Sequence, residues 1–114
     1  MDIKTSDYRV WYDDASRTVF FEGSLRLSGV DDYTPIADLL NQALAASKND
    51  LVWDLRELEF LNSSGINMLY KFLIMARKDG NVTMTVKGSN SIPWQQKSMP
   101  NMKKFLPSLT LLLT

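Results

Sequence analysis

The chain reads as an α/β protein built on a mixed sheet of about five strands. Three observations predict this. Strand-like and helix-like patterns alternate along the 114 residues, and that alternation yields parallel or mixed sheets with helical cover. Two strand patterns joined only by the polar stretch Asp13-Asp14-Ala15-Ser16-Arg17 open the chain as an antiparallel hairpin. The near-continuous apolar run Leu51-Val52-Trp53-Asp54-Leu55 has the character of a central strand.

The elements follow in order. Arg9–Tyr12 and Thr18–Gly23 form the hairpin, and Ser28–Asp32 is a loop. Thr34 caps a helix with Pro35 at its first position, and Ile36, Leu39, Leu40, Ala43 and Leu44 make one apolar face up to about Ser47–Asp50. After the strand at 51–55, residues 56–61 form a connector. Asn62-Ser63-Ser64-Gly65 begins a second helix, capped by Asn62 or Ser63, with Ile66, Leu69, Tyr70, Leu73 and Ala76 as its inward stripe and Asp79-Gly80-Asn81 as its end. Val82–Val86 alternates as a strand, Ser98-Met99-Pro100 caps a short helix through Phe105, and residues 109–113 form the last strand. With 45% hydrophobic residues and no linker-like tract, residues 1–114 are expected to form one domain.

Composition narrows the function. Thirteen basic and thirteen acidic residues balance to zero, against the basic excess of a nucleic-acid binder. The chain holds no cysteine and no histidine, so thiol nucleophiles, thiolate zinc sites and a Ser-His dyad are absent. The acidic pair Asp31-Asp32 lacks further convergent ligands, and the glycines form no phosphate loop. No metal, cofactor or enzymatic activity is therefore expected. No apolar run approaches the ~20 residues of a membrane span, and no signal-peptide pattern opens the chain, so a cytoplasmic protein is expected. Trp11, Trp53 and Trp94 read as core or edge packing.

The segment richest in function runs from Leu51 to Ile66. Loops at the carboxyl ends of such strands are where partners bind. Two hydroxyls at a helix start lie near free backbone N–H groups and the positive end of the helix dipole, where a phosphate would be tolerated. From residue types alone, capping is the ordinary role of Asn and Ser there.

The turn Phe60-Leu61-Asn62-Ser63-Ser64-Gly65, the preceding Asp54-Leu55-Arg56-Glu57-Leu58, and Phe21-Glu22-Gly23-Ser24-Leu25 resemble the signature of STAS domains of the anti-sigma factor antagonist family. The motif resemblance covers about residues 51–76, and the element order extends it over nearly the whole chain. It implies a STAS-like mixed sheet with helices packed mainly on one face. It also implies a bacterial regulatory domain that binds proteins and is switched by phosphorylation of Ser63, with Ser64 as the alternative. A serine kinase or anti-sigma-type regulator and a phosphatase are the implied partners. Asn62 stands where the family has an acidic residue, Arg26 stands where one often follows the second strand, and the stretch 27–33 is longer than the usual loop.

On the second helix, Ser64, Asn67, Lys71 and Lys78 share an exposed face flanked by Met68 and Met75. Asn62, Ser63, Ser64, Asn67, Met68, Lys71 and Arg26 are the expected partner-binding residues. The alternative is a constitutive STAS-like interaction or scaffold domain in which Ser63 is only a cap.

Overall fold

A computed structural model describes all residues, Met1–Thr114. Six strands lie in chain order across one sheet: β1 (Asp2–Lys4), β2 (Tyr8–Asp13), β3 (Thr18–Leu25), β4 (Asp50–Leu61), β5 (Thr83–Gly88) and β6 (Thr110–Leu113). β2 runs antiparallel to both of its neighbours, β1 and β3, while β3 to β6 are parallel. Helices α1 (Thr34–Ala46), α2 (Ser63–Asp79), α3 (Pro93–Ser98) and α4 (Met102–Phe105) carry the crossovers. They cover one face of the sheet, and 27 buried apolar residues between the layers form one core. Trp53, fully buried on β4, is the centre of that core. It meets Phe21 of β3 edge-on at 6.3 Å and Phe72 of α2 at 5.2 Å.

The mixed α/β sheet is as expected, with one more strand. β1 escaped the sequence because Ile3 is the only apolar residue among three. It is held by pairing to β2 and by a bidentate contact from Arg9 to Asp2 at 3.1 and 2.9 Å. The larger correction concerns residues 56–61, which are strand and not connector. The β3–β4 register slips between Phe20 and Glu22 and again between Gly23 and Ser24, each time adding one residue on β4. The core-facing positions thus become Leu55, Leu58 and Leu61, three apart instead of two. Pairing with β5 ends at Asp54–Lys87, so the far half of β4 needs other donors. The buried Gln95 amide donates to the Leu55 and Leu58 carbonyls, and Trp94 Nε1 donates to Leu58 O at 2.8 Å. Both donors come from α3, a helix not expected from the sequence; the expected short helix after Ser98 follows it as a 3-10 turn, Met99–Asn101, and α4, which ends at Phe105.

Thr34 is not a cap but the first residue of α1; a 3-10 turn, Val30–Tyr33, leads directly into it. α2 ends as expected at Gly80, whose φ of 80° is the left-handed conformation that glycine adopts without strain. Its buried residues are Gly65, Met68, Leu69, Phe72, Leu73 and Ala76, while Ile66 and Tyr70 are half-buried. The inward face is therefore turned toward 65, 68 and 72, because α2 packs against the 3-10 turn Val30–Tyr33 as well as the sheet.

Leu69 and Leu73 are fully buried, whereas Asn67 and Lys71 are exposed. Leu69→Ala and Leu73→Ala are each expected to destabilise by about 2–5 kcal/mol. Lys71→Ala and Asn67→Ala should stay within about 0.5 kcal/mol. Urea melts of the four variants check this, and an equal loss for Lys71→Ala and Leu73→Ala would contradict the orientation of α2.

Candidate docking site

The site starts from the β4–α2 junction. Asn62 is the N-cap of α2: its Oδ1 accepts from Gly65 N at 3.1 Å. The same oxygen accepts from the Tyr33 hydroxyl at 2.6 Å, and Nδ2 donates to Leu27 O at 2.8 Å. Asn62 thus ties the start of α2 to the end of β3 and to the turn before α1. Tyr33 is fully buried, and that burial pushes its hydroxyl pKa up, so it remains a donor. Gly65 allows the close approach, since a Cβ there would overlap the Leu61 side chain and lie 2.8 Å from the Tyr33 hydroxyl.

With Asn62 as cap, Ser63 is free of that duty. It is exposed at the first position of α2, and Ser64 behind it is half-buried. Ser63, Asn67, Lys71 and Met75 follow at four-residue intervals and are all exposed, so they form one stripe along the helix. The last three line a groove of about 250 Å³ between α1 and α2. Its opposite wall includes Val30, Ala37 and Asn41, and six of its ten lining residues are hydrophobic. Val30 and Met75, 56% and 37% exposed, both line this one groove and so leave apolar surface together at it.

Six of the seven expected site residues belong to α2 or its cap, but they divide by role. Asn67 and Lys71 lie on the exposed stripe. Met68 does not flank that stripe as an exposed residue: it is 8% exposed and forms part of the groove floor. The polar atoms of Asn62 are turned inward and engaged within the chain. Arg26 stands apart from the groove, exposed beyond the end of β3, with its guanidinium 4.5 Å over the Phe60 ring. The sequence reading missed the wall supplied by Val30, Ala37 and Asn41. The only signal was Val30 itself, a lone large apolar residue in a polar loop.

The opposite, helix-free face of the sheet carries a separate electrostatic feature. Asp54 is buried there beneath Arg56, which reaches its carboxylate through side-chain contacts of 3.0 and 2.7 Å and a backbone N–H at 3.1 Å. Burial would raise the Asp54 pKa, but these bonds outweigh it and hold the carboxyl below its ordinary value of 3.8. A depressed folded-state pKa stabilises the fold above the unfolded-state value and loses that contribution as pH falls through the folded one. Wild-type stability is therefore expected to decline below about pH 4, while Asp54→Asn starts lower at pH 7 and declines less steeply. Urea midpoints from neutral to acid pH check this, and parallel acid limbs for the two proteins would contradict it.

No family model matches the sequence, and no characterised protein is recognisable as a sequence relative. The fold, by contrast, is similar to that of SiaC from Pseudomonas aeruginosa. A chain of the crystal structure of the diguanylate cyclase SiaD in complex with its activator SiaC gives a TM-score of 0.71 at 15% identity, over 100% of this chain and 99% of that one. Crystalline apo-SiaC gives 0.71 at 15% identity, over 100% and 98%. A further SiaC structure gives 0.66, again at 15%. At this identity the likeness is one of fold. No helix of the chain is long and apolar enough to cross a membrane.

Proposed function

We propose that this chain is a regulatory protein-binding domain of the anti-sigma factor antagonist type, which docks on a partner protein through the α2 stripe and is switched by phosphate on Ser63. The observation that carries this reading is the position of Ser63. It heads a stripe whose next three members line the α1–α2 groove, and its hydroxyl is spared from capping by Asn62. A group added there stands one helical turn from the groove rim without entering the core. The fold likeness to SiaC, described as the activator of a diguanylate cyclase, supports an effector enzyme or an anti-sigma-type regulator as the docked partner. A serine kinase and a phosphatase act on Ser63, with Ser64 as the second acceptor. The domain works by binding and uses no cofactor.

The test is recovery of partner from the native host by tagged wild type, Ser63→Ala and Lys71→Glu, with phosphosite mapping of the recovered chain. Phosphate on Ser63, and loss of the same partner with Lys71→Glu, are expected. Equal recovery by all three with Ser63 and Ser64 unmodified would instead leave a constitutive interaction domain.

A further inference from the structure

The two edges of the sheet differ. β1 is short and carries Asp2 and Lys4, the kind of charged edge that resists pairing with another strand. β6, at the other end, reads Thr110-Leu111-Leu112-Leu113 and has no charge at all. Leu112 is 46% exposed on the helix-free face, one of five large apolar side chains left in solvent. Such an edge presents unpaired backbone groups with nothing to repel a second strand.

The hydrogen-bond register decides which groups these are. Leu112 lies opposite Lys87 of β5, and Thr114 N donates to Gly88 O at 3.1 Å. Residues 110, 112 and 114 thus turn their backbone groups toward β5, so Leu111 and Leu113 turn theirs outward. One outward group has a weak claim on it: Asn90 Nδ2 reaches Leu113 O at 3.5 Å, leaving that carbonyl a second lone pair.

We propose that two copies of the chain pair through β6, antiparallel about a twofold axis passing beside Leu112, to join their six-stranded sheets edge to edge. In this arrangement Leu111 of one copy exchanges backbone hydrogen bonds with Leu113 of the other, and the reverse. The two Leu112 residues form the close, non-hydrogen-bonded pair between them. A second copy is the occupant because the edge is complementary to itself: its donors and acceptors match across the axis, and no like charges meet. The α1–α2 groove lies on the helix layer, away from this edge, so a dimer presents two docking grooves. The inference is independent of the phosphorylation reading.

Four backbone bonds and one leucine pair make a small interface, below the roughly 1,200 Å² of stable specific complexes. A dissociation constant on the order of 0.1–1 mM is therefore expected. In sedimentation equilibrium from about 10 μM to about 1 mM, a range spanning that constant, the average mass should rise from 13.0 kDa toward twice that value. Leu112→Lys, which sets two ammonium groups against each other, should remain monomeric with an unchanged thermal melt. The chain has no cysteine of its own, which allows a geometric test. Leu112→Cys should cross-link to its twin under mild oxidation, because directly opposed positions bring Cβ atoms to about 4.5–5.5 Å. Thr110→Cys, whose twin lies across the far side of the axis, should not. Wild type that stays monomeric to the top of the range, a dimer indifferent to Leu112→Lys, or equal cross-linking at both positions would overturn the proposal.

Discussion

Asn62→Ala is expected to destabilise the fold by about 2–4 kcal/mol, although Asn62 is a half-buried polar residue at a helix start. Two contributions add. Loss of the cap on α2 typically costs about 1 kcal/mol. The second is the Tyr33 hydroxyl, which is fully buried and donates to the lost Oδ1 at 2.6 Å. Leaving such a group without its partner costs roughly 1–3 kcal/mol. Its other neighbouring acceptor, Leu25 O at 3.3 Å, offers only partial replacement. Asn62→Asp should lose less, because a carboxylate still caps α2 and still accepts from Tyr33; what it loses is the donor to Leu27 O. Tyr33→Phe supplies the control, since removing the hydroxyl removes the group that Asn62→Ala strands. The Asn62→Ala penalty should therefore shrink in the Tyr33→Phe background. Urea melts of the four proteins close the cycle. A penalty below about 0.5 kcal/mol, the range of ordinary surface changes, would show that this network does not hold the junction.

The contrast between Asn62 and its surroundings shows what the sequence made legible. The start of α2 could be read because capping is local chemistry: an Asn, two serines and a glycine at one turn carry the signal by themselves. Leu51–Leu55 could be read for the same reason, as a run of apolar residues at the centre of a sheet. The extension of β4 to Leu61 could not, because its two register slips replace the two-residue period with one of three. Its missing ladder donors come from Gln95 and Trp94, some 40 residues onward. Phe72 and Met68 went unread as inward residues because α2 lies against both the sheet and the turn Val30–Tyr33, and so buries a broader face than one stripe. The groove was hidden for a related reason. Its walls come from Val30, from α1 and from α2, and only the fold brings these together. The stripe Asn67–Lys71 was legible because helical spacing alone defines it.

Phosphoserine at position 63 is expected to leave the domain folded while weakening its partner by about a hundredfold or more. The modification adds about −1.5 to −2 charges and three acceptor oxygens. Within the chain that charge is well received. It sits at the first position of a 17-residue helix whose opening turn has no acidic residue, beside N–H groups that an α-helix leaves unpaired. Thermal melts of the phosphorylated and unmodified chains should therefore be alike, or shift slightly upward. The penalty falls on the complex. A surface that covers Asn67 and Lys71 also reaches Ser63, one turn away, and must strip water from a dianion. Burying an unpaired charge costs several kcal/mol, and each 1.4 kcal/mol is a factor of ten in affinity. Ser63→Asp carries a single charge, so its loss should be smaller, on the order of tenfold. Ser63→Ala should bind like wild type and ignore the kinase, because neither capping nor packing depends on that hydroxyl. Calorimetry with the purified partner, using phosphoserine introduced during translation, separates these outcomes from any failure to find the kinase. If the phosphorylated chain and Ser63→Asp both bind within twofold of wild type, the partner does not cover this end of α2, and the proposed switch at Ser63 is overturned.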